Sequence, residues 1–219
     1  MQSGWCETVT TGRIYGPAAG PVSLKVDAAS YRPYGAGAEM RYTLASTPFG
    51  IILLAATRHG ICWIGIHEST AHLESELRSD YARAEIIRDD LLAAPLAERV
   101  VAALTGASSE LDLPVDIRAT PFQLQIWREL CAISRGATRT YGEIGRRIGR
   151  PDASRAVGHA NGSNPLALII PCHRVIGTDG SLTGYRWGIE YKRRLLAHEG
   201  ALMPLDRQGS FRLESAAEN

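Results

Sequence analysis

Three consecutive apolar runs, separated only by tight turns, constrain the fold of this chain more than any other feature. Met40–Ser46, Gly50–Thr57 and Ile61–His67 are apolar or alternate apolar and polar residues, which is typical of β-strands. The breaks at 47–50 and 58–60 contain proline or glycine, which favour turns. Because such short connections join antiparallel neighbours, these runs predict a β-meander.

After the meander, the spacing of apolar residues becomes helical. Ser69–Tyr81 has a helical pattern with Ser69 as a candidate N-cap, and a second helix fits Leu92–Leu104, closed by a glycine. Ala84–Ile87 is a candidate short strand between them. Strands followed by helices predict an α+β fold, and we place the N-terminal α/β domain, with its small antiparallel sheet, at residues 39–112.

A second, mainly helical domain is predicted over residues 113–203. Its apolar residues take helical spacing from Thr120, and Thr140-Tyr141-Gly142-Glu143 is a capping box that begins another helix. A break at Arg150-Pro151-Asp152 separates that helix from a further one at Ala153–Asn161. Two short helices across a tight turn predict a helix-turn-helix.

The two ends of the chain show little periodicity. Residues 1–38 are rich in Gly, Pro, Ala and Ser and predict an irregular arm or linker, and residues 204–219 predict a flexible tail. No apolar run is long enough to cross a bilayer, and Met1–Thr11 lacks the basic and apolar segments of a signal peptide. The sequence therefore predicts a cytoplasmic protein without a membrane partner.

The cysteines of the chain indicate neither a disulfide framework nor a zinc site. They are Cys6, Cys62, Cys131 and Cys172. None is spaced as Cys-x-x-Cys, and the chain is neither short nor cysteine-dense. His59, His67 and His72 lie near Cys62, but not at the spacing of zinc ligands. We therefore expect no bound metal.

The small net charge of the chain conceals an asymmetry. Residues 118–200 contain 13 Lys/Arg and 6 Asp/Glu, whereas the rest of the chain contains 11 and 17. A basic segment beside an acidic one indicates a polyanionic partner for the C-terminal part, with a solvated basic face as the equal alternative.

The clearest chemistry follows the apolar run at 166–170, which predicts a buried strand leading into Pro171-Cys172-His173. A free thiol has a pKa near ~8.5 and is a weak nucleophile without help. An adjacent imidazole can take its proton, and a carboxylate, here Glu199, can fix the imidazole tautomer. By spacing alone, a structural cysteine beside a chance histidine is the commoner explanation of such a pair.

Pro171-Cys172-His173-Arg174-Val175 resembles the active-site signature of the O6-alkylguanine-DNA alkyltransferase family, the methylated-DNA–protein-cysteine methyltransferases. Five further motifs fall in the family's order within about residues 40–201: Thr140-Tyr141-Gly142-Glu143, Arg155-Ala156-Val157-Gly158, Asn164-Pro165, Gly184-Tyr185-Arg186-Trp187-Gly188 and Leu195-Leu196-Ala197-His198-Glu199-Gly200. The fourth looks most like the alkyltransferase half of the bacterial adaptive-response protein. The resemblance implies a ribonuclease-H-like N-terminal domain, a catalytic DNA-binding C-terminal domain and no cofactor.

The resemblance implies DNA repair by direct damage reversal. Cys172 would be the nucleophile and the permanent acceptor of a methyl or other alkyl group from O6-alkylguanine, with O4-alkylthymine as a second candidate substrate. His173 would act as its base through a water, and Glu199 would orient His173. Tyr141 would crowd a phosphate and help to rotate the nucleotide out of the duplex. Because water does not cleave a thioether, each molecule would act once.

The resemblance also implies that a monomer binds double-stranded DNA carrying alkylated guanine, in the bacterial cytoplasm at the nucleoid. The second helix of the helix-turn-helix would enter the minor groove. Arg155 would fill the gap in the base stack, while Ala156 and Gly158 would allow close approach of the helix backbone. Small residues equally allow tight helix packing, and His159 stands where relatives often have a small residue, so its contact with DNA is left open.

The pocket itself would be formed by residues that the resemblance places around the flipped base. Asn164 would brace the turn that carries the active-site loop. Tyr185 and Arg186 would line the pocket, with the Arg186 backbone N–H facing the departing oxygen. The carbonyls of Cys172 and Val175 would read the guanine edge.

Trp187 directly follows the pocket residues, and two placements are open for it. At the lip of the pocket, with Ala167 where some relatives have a proline, it would favour methyl over benzyl substrates. Pointing into the core, it would not affect access to the pocket.

Two other functions remain as alternatives: a Cys-His hydrolase that turns over, and a lesion sensor that binds without reacting. Whether the protein gains an alkyl group permanently distinguishes them.

Overall fold

The computed structural model describes residues 25–26, 38–107 and 113–201. Most of the predicted arm at 1–38 and the whole predicted tail at 204–219 lie outside these residues. Within the described ranges the chain has the expected α+β fold, a sheet with two helices followed by a mainly helical half. None of the helices in these ranges is both long enough and apolar enough to cross a membrane.

The predicted meander forms the centre of a six-stranded sheet. Its antiparallel strands are β2 (Glu39–Thr47), β3 (Gly50–Thr57) and β4 (Gly60–His67). Three short strands extend it by parallel pairing, in the order β1-β6-β4-β3-β2-β5: β1 (Lys25–Val26), β5 (Glu85–Arg88) and β6 (Pro114–Val115). The sheet is therefore mixed as well as larger than the antiparallel one expected. Nearly every residue of β4 is buried, which explains its continuous apolar run.

Side-chain caps fix where the two helices that follow begin. α1 (Thr70–Asp80) begins after Ser69, whose hydroxyl accepts the backbone N–H of His72, as predicted. α2 (Asp90–Thr105) begins two residues before the predicted start because Asp89 caps it by accepting the backbone N–H of Leu92. It ends at Gly106, whose φ of 81° is the left-handed conformation that favours glycine.

The second half contains four helices and a small parallel sheet. The helices are α3 (Pro121–Cys131), α4 (Tyr141–Arg147), α5 (Ser154–Gly162) and α6 (Ile189–His198), and β7 (Arg139–Thr140) pairs with β8 (Val175–Ile176). The predicted capping box forms at the start of α4, where Thr140 and Glu143 each accept the other's backbone N–H. α4 and α5 are the two helices predicted on either side of the break at 150–152.

The run at 166–170 is buried, but the prediction that it is a strand is wrong. Only Leu166 pairs with the sheet, through a bridge to Ile64, and the next residues form a turn in which Leu168 has a φ of 73°. Asn164 stabilises this turn, because its amide donates to the carbonyl of Ile170 at 2.9 Å and accepts the N–H of Leu166 at 2.9 Å. The turn delivers Cys172 next to the core shared by both halves.

Candidate active site

Cys172 begins a short 3-10 turn, Cys172–Arg174, and is only 5% exposed. Burial raises the pKa of its thiol above the ordinary value, while a hydrogen bond from the Asn164 side chain and the positive charge of Lys192 act in the opposite direction. The thiol is therefore protonated near neutral pH, and it needs a base before it can act as a nucleophile.

His173 and Glu199 form a buried pair beside this thiol. The ring nitrogen Nε2 of His173 lies 3.0 Å from Oε1 of Glu199. Burial lowers the pKa of His173, and the charges of Arg174 and Lys192 add to this effect, whereas Glu199 opposes it. The imidazole is thus neutral near pH 7. Its other nitrogen, Nδ1, is buried and accepts no hydrogen bond from the described residues.

Arg174 holds the carboxylate of this pair, a role that the sequence reasoning missed. Its Nε and Nη2 donate to Oε2 and Oε1 of Glu199, each at 2.8 Å, and its Nη1 donates to the carbonyl of Ile133 at 2.6 Å. Burial raises the pKa of Glu199, but hydrogen bonds from His173 and Arg174 outweigh it and lower the pKa to about 2. Glu199 is therefore fixed as a carboxylate that only accepts hydrogen bonds.

Lys192 is the second residue that the sequence reasoning missed. Its side chain is fully buried, and its Nζ donates to the carbonyls of Val175 at 2.5 Å and Thr183 at 2.8 Å. Burial lowers its pKa to about 8, although attraction to the Cys172 thiolate acts in the opposite direction. The sequence does indicate that Lys192 is buried, because helical spacing places it on the same face of α6 as the apolar Leu195 and Leu196.

The two carbonyls expected to read the guanine edge already accept hydrogen bonds. The carbonyl of Val175 accepts from Lys192 and keeps one lone pair, whereas that of Cys172 accepts both the Val175 N–H and, at 3.4 Å, the amide of Asn161. The Oδ1 of Asn161 is buried and has no partner among the described residues. Cys172 can therefore accept a further donor only if the long Asn161 contact opens.

Tyr185 is partly buried and packs against the core that contains Cys172. Its hydroxyl is buried without a hydrogen-bond partner in the described ranges. Burial raises its pKa well above the ordinary value, and the negative charges of the ionised Cys172 thiolate and of Glu199 raise it further. The hydroxyl is thus a protonated donor beside the reactive thiol.

Trp187 points into the core and does not form a lip over the pocket. It is 5% exposed, and its indole meets that of Trp63 edge to face, with ring centroids 5.2 Å apart. Both rings press against Gly65, where an added Cβ would lie 2.4 Å from Trp63 and 2.6 Å from Trp187. The hypothesis that Trp187 narrows the pocket entrance is therefore wrong, and the preference for methyl over benzyl substrates stays a prediction that rests on Ala167 alone.

Tyr141 connects the helix-turn-helix to the pocket. It is the first residue of α4, and its hydroxyl accepts from Thr183 at 3.3 Å. Its ring lies over Gly158 of α5, where an added Cβ would come within 3.7 Å of the ring. Tyr141 therefore contacts both α5, at Gly158, and the chain segment just before Tyr185, at Thr183.

The small residues of α5 are divided between two faces. Ala160 is buried, and its carbonyl accepts the indole N–H of Trp127 at 2.8 Å, as expected for helix packing. Arg155, Ala156 and His159 are exposed and lie at helical spacing on the opposite face. Arg155 forms no salt bridge within the described ranges, so its guanidinium is available to a ligand. His159 shares that face.

The described residues include no group of three or more His, Cys, Asp or Glu side chains that could hold a metal ion. The cluster around Cys172 instead combines a thiol, an imidazole and a carboxylate, which is an arrangement suited to nucleophilic chemistry.

Two family descriptions match most of the chain. Residues 40–117 match "6-O-methylguanine DNA methyltransferase, ribonuclease-like domain", and residues 121–201 match "6-O-methylguanine DNA methyltransferase, DNA binding domain". The "Bifunctional transcriptional activator/DNA repair enzyme Ada" of Escherichia coli is 41% identical over 177 residues, which are 81% of this chain. The chain spans only half the length of that relative.

Other relatives match along their whole length. The methylated-DNA–protein-cysteine methyltransferase of Methanosarcina acetivorans is 39% identical over 74% of this chain and 99% of its own. The crystal structure of Mycobacterium tuberculosis OGT in complex with DNA superposes with a TM-score of 0.60 at 39% identity, over 74% of this chain and 92% of that one. The chain therefore belongs to the 6-O-methylguanine DNA methyltransferase family.

Proposed function

We propose that this protein repairs DNA by transferring a methyl or other alkyl group, once and irreversibly, from O6-alkylguanine to Sγ of Cys172. The observation that carries the proposal is a buried thiol beside a neutral histidine whose far nitrogen is held by a carboxylate. The names of the relatives, which are methylated-DNA–protein-cysteine methyltransferases and a DNA repair enzyme, support the same chemistry. O4-alkylthymine is a second candidate substrate.

The hydrogen bonds of Glu199 determine which nitrogen of His173 takes the proton. Because Glu199 is ionised and only accepts, Nε2 carries the ring proton and Nδ1 carries the free lone pair. The thiol proton passes to Nδ1 through a bridging water. Sγ then attacks the alkyl carbon, so that a C–S bond forms as the C–O6 bond breaks and its electron pair leaves with the guanine. The proton that His173 took from the thiol returns to the guanine ring, which restores both the neutral imidazole and the neutral base.

The departing guanine needs a donor, since its oxygen is otherwise a poor leaving group. The backbone N–H of Arg186 and the hydroxyl of Tyr141 are the donors that we assign to the base, and the protonated Tyr185 hydroxyl lines the pocket. The product is a thioether, which water does not cleave. Each molecule therefore reacts once.

An alkyl carbon at O6 is inaccessible inside a duplex, so the nucleotide must leave the base stack. We assign this step to α5, which would enter the minor groove with its exposed face. Arg155 and Ala156 lie on that face, where Arg155 fills the vacated stack and Ala156 allows close approach. Asn164 maintains the turn that presents Cys172, and the carbonyl of Val175 keeps a lone pair for the base.

The same proposal covers the organisation of the molecule. We divide it into an N-terminal α/β domain at 39–112 and a catalytic DNA-binding domain at 113–203. We propose that it acts as a monomer. We further propose that it acts on nucleoid DNA in the bacterial cytoplasm.

The test is the intact mass of the protein after incubation with duplex DNA containing O6-methylguanine. A permanent gain of one methyl group, with restored guanine in the DNA, is the expected result. Repeated cleavage of substrate by an unmodified protein would indicate a Cys-His hydrolase. Tight binding with no change of either molecule would indicate a lesion sensor.

A further inference from the structure

The side chain of Arg186 extends to α1 in the N-terminal half of the molecule. Its Nη2 lies 2.7 Å from Oε2 of Glu76 and 2.7 Å from Oδ2 of Asp80, and its Nε lies 3.2 Å from Glu76. All three side chains are partly shielded from solvent, with exposures of 26%, 34% and 31%. The guanidinium therefore binds an acidic pair about one hundred residues away in sequence.

Residues of α1 and β4 also hold Trp187, the residue that follows Arg186. Asp80 also accepts the indole N–H of Trp63 at 2.8 Å, and Trp63 meets Trp187 edge to face. The guanidinium of Arg186 lies 5.0 Å from the Trp187 ring centroid, within the range of a cation–π contact. Two successive residues of the pocket segment are thus fixed by α1 and β4.

The backbone of the segment that carries these residues makes few hydrogen bonds of its own, so side-chain contacts fix its conformation. It lies outside any helix or strand, between Gly184 with a φ of 30° and Gly188 with a φ of 103°. One backbone hydrogen bond closes it, from the N–H of Gly188 to the carbonyl of Tyr185 at 3.0 Å. Glycines at both ends leave the backbone several accessible conformations, so side-chain anchors must select the one that is observed.

We propose that Glu76 and Asp80 are positioning residues for alkyl transfer, because they hold Arg186 and thereby fix the pocket segment beside Cys172. The inference rests on the proposed function, in which the Arg186 backbone N–H faces the departing oxygen. Glu76 and Asp80 contact neither the thiol nor the base. They act through Arg186, and the N-terminal half is thereby part of the transfer machinery.

The test compares a double variant that disrupts the anchor with a control variant, and both remove acidic side chains from α1. Glu76→Ala/Asp80→Asn removes both negative charges and the Glu76 hydrogen bonds from the anchor, but leaves at position 80 a neutral oxygen that accepts from Trp63. Glu74→Ala is the control, because Glu74 lies on α1 and contacts Tyr42 instead of the pocket segment. The readouts are the rate constant of transfer at saturating O6-methylguanine duplex, the dissociation constant for unmodified duplex, and the melting temperature.

Loss of the anchor is expected to lower the saturating rate constant about 10-fold, since misplacing a reacting group by ~1 Å costs up to about 100-fold. The dissociation constant should remain within about twofold of the control, because the assigned DNA surface is on α5. Partly exposed ion pairs add little stability, so the melting temperature should change little. A merely structural role would instead lower the melting temperature and leave the rate constant unchanged.

A double-mutant cycle with Arg186→Ala distinguishes action through Arg186 from an independent effect. Arg186→Ala keeps the backbone N–H but loses the anchor, so its rate should match that of Glu76→Ala/Asp80→Asn, and combining them should cause no further loss. Losses that multiply, or an unchanged rate constant, would overturn the inference alone. Absence of any transfer by the wild-type protein would overturn the proposed function and this inference with it.

Discussion

Replacing Glu199 with glutamine should make the stability of this protein much less dependent on acidic pH. The carboxylate of Glu199 has a side-chain exposure of 5% and accepts hydrogen bonds from both His173 and Arg174. Glutamine has nearly the same shape and does not titrate, but its NH2 group replaces one of the two oxygens that accept these bonds. The substitution therefore removes the titrating charge together with part of the hydrogen bonding, and only the charge gives a difference that changes with pH.

The size of the effect follows from the pKa of the carboxyl. Burial opposes ionisation, yet the hydrogen bonds lower the pKa from an ordinary value of 4.5 to about 2. That difference corresponds to roughly 3 kcal/mol of folding free energy, at about 1.4 kcal/mol for each pH unit. Because the folded-state pKa is the lower one, this stabilisation is present above about pH 4.5 and is lost as the pH falls towards 2.

The measurement is urea unfolding at a series of pH values between 7 and 2. Glu199→Gln should be less stable than wild type at pH 7, and this difference should shrink by about 3 kcal/mol as the pH approaches 2. His173, whose pKa is lowered by burial, adds a separate loss as the pH falls below its ordinary value, in both proteins. Glu190→Gln is the control, since Glu190 lies exposed at the start of α6, the helix that Glu199 follows, and its one ion pair among the described residues is with Arg193. A difference between wild type and Glu199→Gln that stays constant with pH would refute the reasoning.

Three further predictions follow from the packing and from the assigned DNA surface. Gly65→Ala should destabilise the protein by about 1–3 kcal/mol in chemical denaturation, because its Cβ would overlap Trp63 and Trp187; a neutral result would mean that the indoles move easily. Trp187→Gly should cost about 3 kcal/mol or more and should not accelerate inactivation by benzylguanine; faster inactivation would restore the lip hypothesis. Arg155→Ala should slow repair of duplex DNA more than transfer from the free base, whereas equal losses would make Arg155 a structural residue.

Local patterns in the sequence predict the elements of the fold well where the physical cause is itself local. The meander, the Ser69 cap and the Thr140–Glu143 capping box depend on residues within one or two turns of each other. The parallel strands are harder, because β6 is only two residues long and its partner strands lie far away in the sequence. The run at 166–170 reads as a buried strand because burial alone does not distinguish a strand from a buried turn.

In the candidate site, too, the features that depend on neighbouring residues are predictable from the sequence, and those that depend on distant packing are not. The adjacency of Cys172 and His173 is visible in the sequence, and the family resemblance supplies Glu199. The roles of Arg174 and Lys192 are not visible, because they depend on where α6 packs against the Cys172–Arg174 turn. The sequence does not decide whether Trp187 lies at the pocket lip or in the core, since its partners Trp63 and Gly65 lie more than a hundred residues earlier in the chain.

Peptide mapping of the reacted protein shows which cysteine becomes alkylated. After incubation with a duplex containing O6-methylguanine, the protein is digested and each cysteine peptide is weighed. We expect one methyl group on the peptide that contains Cys172, and no transfer by Cys172→Ala although that variant still binds DNA. A methyl group on Cys6, Cys62 or Cys131, or stoichiometric transfer by Cys172→Ala, would show that Cys172 is not the acceptor.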